Sequence, residues 1–261
     1  MTFEPASSSF PRFASTVRHY VAGRPNYAQA LIQTVADHLH LTKQHRLMDL
    51  GCGPGWLGIA FAPRVGQVVG VDPEPTMLEA ASALAATAGV DIEWIEGSSY
   101  DLGPQLGRFR AVAIGRAFHW MDRAATLRTL DALIEDDGAV LLFNDVRPDV
   151  PQNTWYKRYS EVVDRFTNRS VGFAPERLRH EALLLESAFS QLSRIGVIEQ
   201  RRVPVERLID RALSMSTSSP EQLGALTDQL VQDMTTEMAP FASDGHVVEV
   251  IESQALIARR R

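Results

Sequence analysis

Three glycines at alternate positions follow a short apolar run within residues 47–56. The apolar run predicts a buried strand, and the glycines predict a sharp turn that a ligand can approach without meeting a Cβ atom. A helix that begins after this turn would direct unpaired N–H groups at it, where a polar or anionic ligand group can bind. A second apolar run, residues 68–72, ends in Asp72. A glycine turn after one strand and a carboxylate after the next predict the nucleoside-binding crevice of an α/β sheet.

The spacing of the glycines indicates which nucleoside they suit. They are Gly51, Gly53 and Gly55, and the fifth position after Gly51 is Trp56. A dinucleotide-binding turn has the pattern G-x-G-x-x-G, with a glycine at that fifth position for close packing of the helix on the strand. The bulky indole of Trp56 argues against a dinucleotide-binding turn. An NAD-dependent oxidoreductase is therefore kept only as the first alternative function.

Strand-like and helical patterns alternate along the first part of the chain. A helix is predicted from Pro25 to about His40. Strands are then predicted near 46–50, 67–72, 91–96, 110–115 and 138–144, and helices near 56–63, 75–88 and 122–135. This alternation predicts an α/β fold with a Rossmann-like, doubly wound, mostly parallel sheet. Ligands of such sheets bind beyond the carboxyl ends of the strands, where Gly51, Asp72, Ser98 and Arg116 fall.

The alternation ends after residue 145. Helices are predicted near 153–167, 176–190, 205–215 and 220–236, and strands near 196–204 and 246–258. Ser219, with Gln222 three residues later, predicts the start of a helix by a capping box. No long linker separates the two parts of the chain, so a single domain is expected.

Composition limits the classes of function. The 261 residues are 45% hydrophobic with a net charge of −6, which suits one domain with a sizeable core. Nucleic-acid binding proteins usually show a basic footprint, and none is visible over the whole chain. No apolar run reaches the ~18 residues that a spanning helix needs.

Cysteine and histidine usage adds two expectations. The single cysteine, Cys52, excludes an internal disulfide and fits a reducing compartment. With no signal-peptide pattern at the N-terminus, a cytoplasmic protein is expected. His38, His40 and His45 lie close together without cysteines or paired carboxylates at ligand spacing, so no metal site is expected.

The pattern from Asp49 to Gly55, Asp-x-Gly-x-Gly-x-Gly, resembles motif I of the class I S-adenosylmethionine-dependent methyltransferases. The resemblance implies that this loop, Cys52 included, faces the amino acid part of the cofactor. It implies that Asp72 holds both ribose hydroxyls, which a carboxylate can do because it accepts two hydrogen bonds. It also implies seven strands, with 246–258 antiparallel to 196–204, and helical insertions that form a cap. The cofactor would be S-adenosyl-L-methionine and the product S-adenosyl-L-homocysteine.

The same resemblance assigns further contacts along the chain. Pro73 would follow the ribose acid, and Met77 would lie beside the adenine, with ordinary helix packing as the alternative. Ser98 and Ser99 would read the adenine edge in place of an aspartate, or form a plain turn. The expected divisions are 1–24 as an N-terminal arm or lid, 25–145 as the cofactor-binding core, and 146–261 as a C-terminal part with substrate-cap helices.

The segment Ala117–Asp122 resembles a run found in the small-molecule branch of type 11 methyltransferases, near the trans-aconitate methyltransferases. In the wider family this loop lies between cofactor and acceptor. His119 is a candidate general base, although a role in anchoring the loop is favoured. The resemblance also makes Phe118, Trp120, Tyr20 and Arg24 candidate substrate-binding residues, with core packing for Trp120 and a surface turn for Arg24 as alternatives.

The sequence therefore predicts methyl transfer to a small molecule, with Arg116 among the cofactor-binding residues. A cofactor-binding protein without catalysis remains a second alternative, and a tRNA methyltransferase is disfavoured by the acidic charge balance. No nucleic acid or membrane partner is expected. The acceptor atom is open among oxygen, nitrogen, carbon and sulfur, and the protein is expected to be a monomer or a homodimer.

Overall fold

The computed structural model describes residues 16–167 and 179–261. The strands in these ranges are β1 (Arg46–Leu50), β2 (Gln67–Asp72), β3 (Glu93–Glu96), β4 (Phe109–Gly115), β5 (Ile134–Val146), β6 (Gln191–Pro204) and β7 (His246–Arg259). They form one sheet in the order β3-β2-β1-β4-β5-β7-β6. The first five strands are parallel, and β7 lies antiparallel to both β5 and β6. The predicted α/β fold class and strand arrangement are confirmed.

Helices cover both faces of this sheet. In the described ranges they are α1 (Val17–Gly23), α2 (Gln29–His38), α3 (Trp56–Phe61), α4 (Pro75–Ala88), α5 (Arg123–Leu133), α6 (Thr154–Phe166), α7 (Glu181–Leu185), α8 (Val205–Leu213), α9 (Pro220–Leu223) and α10 (Thr227–Met238). Pro75 occupies the first turn of α4, where its missing N–H costs nothing. The Asp122 side chain accepts a hydrogen bond from the Ala125 N–H, and Ser219 caps α9 in the same way.

The hydrophobic core has three parts. One cluster packs α2 and α3 on one face of the sheet, and a second packs α5 on the other. A third joins α6, α8 and α10 over the ends of β6 and β7, with Trp155, Leu208 and Met234 almost fully buried. The predicted helical cap is therefore a packed unit with its own core, placed beyond the parallel part of the sheet.

Three element boundaries differ from the sequence predictions for identifiable reasons. The helix predicted from Pro25 is α2 and begins only at Gln29. Arg24 before Pro25 adopts an extended conformation, which separates α1 from α2. The predicted helix 220–236 breaks at Gly224, whose positive φ of 52° cannot continue a helix. The strand predicted at 196–204 is β6 and begins at residue 191. The sequence prediction missed its first residues because much of β6 is exposed at the sheet edge and lacks an alternating pattern.

The helix predicted near 176–190 is described only from residue 179 and is short there. It ends because the Ser187 hydroxyl donates to the Leu184 carbonyl and accepts from the Phe189 N–H, which forms a turn. Residues 176–178 of that prediction, and residues 1–15 of the predicted N-terminal arm, lie outside the described residues. Across 16–167 and 179–261, no helix has both the length and the apolar character to cross a membrane.

Candidate functional site

The glycine loop joins β1 to α3 at the carboxyl edge of the sheet. Gly51, Gly53 and Gly55 have φ values of 67°, 52° and 79°, a backbone region that other residues rarely adopt. A Cβ on Gly51 would lie 2.6 Å from the Cβ of Ala117, so glycine is required there by space as well. At Gly53, by contrast, a Cβ would have only Met77 Sδ within range, at 4.0 Å. The loop therefore leaves an opening above Gly53 that a ligand can approach.

The loop satisfies most of its own N–H groups. Those of Gly51 and Cys52 donate to the Val71 carbonyl at 2.8 and 3.1 Å, and that of Gly55 donates to the Cys52 carbonyl at 2.9 Å. The Gly53 N–H donates to Asp72 Oδ2 at 2.7 Å. The loop is thus a pre-formed, hydrogen-bonded turn, and these four groups are not a free anion-binding cradle of the kind expected from the sequence.

Asp72 lies at the end of β2 beside this loop. Besides Gly53, it accepts from the Glu74 N–H through Oδ1 at 3.0 Å. The residue is only 7% exposed, and burial raises its carboxyl pKa against the lowering effect of the two N–H donors. Each carboxylate oxygen has a second lone pair, so Asp72 can hold the loop and still accept from a ligand hydroxyl.

Asp49, the first residue of the motif, is a buried acid under the loop. Its Oδ2 accepts from the Gly58 N–H at 2.8 Å, which binds β1 to the start of α3. Burial raises the pKa of Asp49 from 3.8 to about 7, opposed by the Gly58 N–H and reinforced by Asp72. The unfolded chain thus releases this proton more readily than the folded chain. The contribution of Asp49 to the free energy of unfolding is therefore fully present below about pH 4, where the group is protonated in both states. It is lost as the pH rises to about 7.

Replacing Asp49 by asparagine is therefore expected to stabilise the cofactor-free protein at pH 8 by up to about 4 kcal/mol, at 1.36 kcal/mol per pKa unit. The amide oxygen of the variant can keep the Gly58 contact. Urea unfolding at pH 5 and pH 8 measures the effect, which should shrink at the lower pH, while Asp91→Asn on the surface should show neither change. A variant less stable than the wild type at pH 8 would contradict this account.

A small cavity of about 10 Å³ lies beside the glycine loop. Its walls come from α1, the loop and the ends of β1 and β4, through Tyr20, Tyr27, Asp49, Gly51, Cys52, Pro54, Trp56, Leu57 and Gly115. Within this wall the Tyr20 and Trp56 rings stack on each other at a centroid distance of 5.4 Å. This space holds about one water molecule, so a ligand as large as a nucleoside requires α1 or these rings to move.

Arg116 follows β4 at the same edge with a positive φ of 57°. Its Nη2 donates to the Pro25 carbonyl at 2.7 Å and to Asp145 Oδ1 at 3.2 Å, whereas Nε and Nη1 are buried without partners. Its guanidinium lies 4.6 Å from the Tyr27 ring centre and 5.8 Å from that of Trp56, both of which line the cavity. An unusual backbone with two unpaired buried donors is a feature of ligand sites.

The turn after β3 holds the predicted adenine-reading serines. The N–H and the hydroxyl of Ser98 both donate to Asp101 Oδ2 at 2.7 Å, and these bonds lower the pKa of Asp101. Asp101 therefore completes this turn, and Ser99 is half-buried within it. Met77 is 3% exposed and Pro73 is exposed. The roles of Pro73, Ser98 and Ser99 toward a ligand stay predictions.

The loop after β4 is divided between core and surface. Phe118 is 2% exposed and packs edge-on against His180, so it belongs to the core and not to the cavity wall. Trp120 is 45% exposed, and its ring centre lies 4.9 Å from that of half-buried His119. Neither His119 nor Trp120 lines the cavity, and their assignment to catalysis and acceptor binding stays a prediction.

Sequence reasoning missed Trp94, Asp145 and the arginines of the cap. Trp94 on β3 lies under the loop, where a Cβ on Gly55 would approach its ring to 2.5 Å. Asp145 stands at the carboxyl end of β5, so the end-of-strand rule that found Asp72 would have found it too. The cap arginines are Arg147, Arg201 and Arg211. They carry no local signal, because only tertiary packing brings them together around Glu249.

A sequence profile of a methyltransferase domain matches residues 47–138, which include the glycine loop and Asp72. An uncharacterized methyltransferase of Mycobacterium bovis is 28% identical over 237 residues, or 89% of each chain. The uncharacterized methyltransferase YcgJ of Bacillus subtilis is 29% identical over 150 residues, which span 57% of this chain and only 53% of that protein.

Solved structures share the same architecture. That of YcgJ has a TM-score of 0.55 at 17% identity and covers 90% of this chain and 100% of its own. A methyltransferase from Thiobacillus denitrificans, solved with S-adenosyl-L-homocysteine, has a TM-score of 0.52 at 17% identity over 96% and 99% of the two chains. The chain is a methyltransferase by its matched domain, and it has the fold of the class I S-adenosylmethionine-dependent enzymes. The methyltransferase therefore takes S-adenosyl-L-methionine as its cofactor.

The residues at the loop fit this cofactor. The opening above Gly53 gives access to the backbone. The buried Nε and Nη1 of Arg116 have no hydrogen-bond partner, and a ligand carboxylate can accept from them. The Asp72 carboxylate, held in place by two N–H groups, suits a pair of hydroxyls. In residues 16–167 and 179–261 of the methyltransferase, no three His, Cys, Asp or Glu side chains come together as a metal site.

Proposed function

We propose that this methyltransferase acts on a small-molecule acceptor held between the glycine loop and the helical cap. The small cavity lined by the stacked Tyr20 and Trp56 rings carries the proposal, because it lies where the core and α1 meet and can widen if α1 or these rings move. The His19 ring and Asp210 are 2.7 Å apart, so α1 is also bound to α8 of the cap. A concave site bounded by a helix that is fixed to the cap suits a small molecule better than a polymer.

In this proposal the core holds the cofactor by the predicted residues. Gly51, Gly53 and Gly55 with Asp49 and Cys52 would face its amino acid part, Asp72 its ribose, and Met77, Ser98 and Ser99 its adenine. Arg116 would pair with its carboxylate. When bound, S-adenosylmethionine supplies an electrophilic methyl group on a sulfonium, which an acceptor atom takes by in-line displacement. The whole chain would act as one unit of arm (1–24), core (25–145) and C-terminal part (146–261).

The chain's own contribution is then mainly positioning and the exclusion of water. Tyr20 and Trp56 line the cavity, and in this proposal α1, which is bound to the cap through His19 and Asp210, restricts access to it. His119 would act as a base only if the acceptor needs one, since acceptors that ionise readily do not. The trans-aconitate branch follows from the resemblance in the loop after β4 and not from this geometry, and the acceptor atom stays open among oxygen, nitrogen, carbon and sulfur.

Calorimetric titration is expected to show binding of S-adenosylhomocysteine and none of NAD, because Trp56 occupies the position that the dinucleotide pattern needs for glycine. Incubation with methyl-labelled S-adenosylmethionine and a cell extract is expected to give a labelled product that passes a 3-kDa filter and separates from S-adenosylmethionine by chromatography. Heat-inactivated protein is the control for label carried over without catalysis.

Two other outcomes would separate the alternatives. Binding of NAD would favour an oxidoreductase, and binding of S-adenosylhomocysteine without label in any fraction would favour a non-catalytic cofactor-binding protein. Label retained with RNA or protein above the filter would contradict the small-molecule acceptor while leaving the methyltransferase assignment intact.

A further inference from the structure

A buried carboxylate on β7, Glu249, is surrounded by three arginines. Arg147 and Arg211 bind its Oε1 at 2.8 and 2.7 Å, and Arg201 binds its Oε2 at 2.8 Å. Glu249 is fully buried, and the side chains of Arg211 and Arg147 are only 3% and 10% exposed. The three guanidinium groups hold the pKa of Glu249 at about 2 in spite of its burial. Three positive charges thus share one negative charge in the interior.

Two more arginines extend this charge to the cavity. Arg24 donates from Nε to the Ser214 hydroxyl at 2.8 Å and lies 5.5 Å from the centre of the Tyr20 ring, which lines the cavity. Arg116 stands on the other side of that wall, paired with Asp145. Arg24 therefore lies within reach of both the cavity wall and the Tyr159 hydroxyl, on which Arg147 and Arg211 also act.

Around Glu249 the ion-paired charges are not balanced. Among the described residues, three guanidinium groups pair with this one carboxylate, a difference of two, and they belong to Arg147, Arg201 and Arg211. Unpaired charge in a dry interior is costly. The cofactor cannot supply the missing negative charge, because its sulfonium and ammonium outweigh its single carboxylate.

Unused donors mark where an anion would sit. The Tyr159 hydroxyl on α6 is buried without a hydrogen-bond partner. Burial raises the pKa of Tyr159 to about 12, and Arg211, Arg24 and Arg147 oppose that rise, so all three act on this hydroxyl. The hydrogen bonds of Arg147 to other residues use Nε alone, which leaves both terminal nitrogens for a ligand.

We propose that the acceptor is an organic anion whose carboxylate or phosphate group binds between Arg24, Arg147 and the Tyr159 hydroxyl. This inference rests on the proposed function, because it takes the bound anion to be the methyl acceptor. The buried guanidinium groups suit a small anion, because a polyanionic nucleic acid would need exposed ones. The anionic group is an anchor here, and the methylated atom is a separate part of the molecule.

The test uses the full chain saturated with S-adenosylhomocysteine and three probes that share a phenyl ring: benzoate, phenyl phosphate and benzamide, the neutral match of benzoate in shape. Calorimetry or ligand-observed NMR is expected to show binding of the anions and none of benzamide. Tyr159→Phe, which removes a hydroxyl without a partner, and Arg147→Gln should each weaken anion binding at least fivefold. Arg158→Gln removes a half-exposed arginine from the same helix and should leave it unchanged.

The outcomes are distinct. Preference for benzoate or for phenyl phosphate decides between carboxylate and phosphate, and either preference supports the anion site. Binding of benzamide as tight as that of benzoate, no binding of either anion, or Tyr159→Phe and Arg147→Gln with wild-type affinity would overturn the proposal. Tyr159→Phe should keep the melting temperature and the S-adenosylhomocysteine affinity of the wild type, which excludes a general structural effect.

The failure of this inference can be told apart from that of the proposed function. Labelled product from the small-molecule fraction is passed over an anion exchanger with its methyl group attached. A labelled acceptor that flows through, neutral or cationic, overturns the anionic acceptor while the small-molecule assignment stands. Anion binding by the probes with label only in macromolecules keeps the anion site and removes the small-molecule acceptor.

Discussion

Asp72→Ala is expected to weaken the binding of S-adenosylhomocysteine at least tenfold, a loss of about 1.4 kcal/mol or more. The substitution removes the proposed ribose acceptor and leaves the N–H groups of Gly53 and Glu74 without their partner. Each unsatisfied buried donor costs about 1–3 kcal/mol, so the free energy of unfolding should fall as well. Calorimetry measures the first effect and urea unfolding the second.

The choice of temperature and a second variant separate the loss of ligand affinity from the loss of stability. Titrations belong at a temperature where circular dichroism shows each variant fully folded. Asp72→Asn keeps the size of the side chain and one acceptor oxygen, so it should lose less stability than the alanine variant but still bind the ligand poorly. Asp91→Ala, an exposed aspartate before β3, is the matched control. Wild-type affinity in Asp72→Ala would refute the role assigned to this carboxylate.

Gly70→Ala is expected to be the most destabilising single-methyl change in the sheet, at about 3 kcal/mol, the upper range for overpacking. Gly70 lies in the middle of β2, where an added Cβ would fall 2.3 and 2.4 Å from two carbons of the Trp94 indole. The ring is packed beneath the glycine loop, next to the position of a Cβ on Gly55, and has little freedom to shift. Urea unfolding of the variant measures the loss.

Two companions test the cause. Trp94→Leu combined with Gly70→Ala should recover part of the stability, since the smaller side chain leaves room for the methyl group. Gly97→Ala is the control for glycine replacement as such, because its Cβ would make an ordinary contact at 3.5 Å with Asp101. A double variant no more stable than Gly70→Ala would show that the clash with the indole is not the cause.

The parallel half of the fold was predictable because its signals are local. An apolar strand, a glycine turn with positive φ values and an acid after the next strand are all consequences of backbone geometry at Gly51, Gly55 and Asp72. The boundaries failed where local preference and tertiary context differ. β6 was predicted short because its residues are partly exposed on an edge. The helix α2 was predicted to start at Pro25, since proline suits a first helical turn, but it begins four residues later at Gln29.

The site was predictable only on its core side. Asp49, Asp72 and Arg116 stand at strand ends, where the rule for parallel sheets places ligands. The cap side depends on residues far apart in sequence, such as Arg147 and Arg211, which share Glu249. Phe118, predicted near the acceptor from its loop, is buried in the core because its apolar ring packs under α5 rather than facing the cavity.

Helix α1 contacts both halves of the site at short range. On one side its Tyr20 stacks on Trp56. On the other side its Gly23 lies so close to α8 that a Cβ there would fall 2.2 Å from the backbone nitrogen of Arg211. A displacement of this helix for one ligand alters the surroundings of the other. The two affinities should therefore be thermodynamically linked, and each substrate should change the apparent dissociation constant of its partner by the same factor.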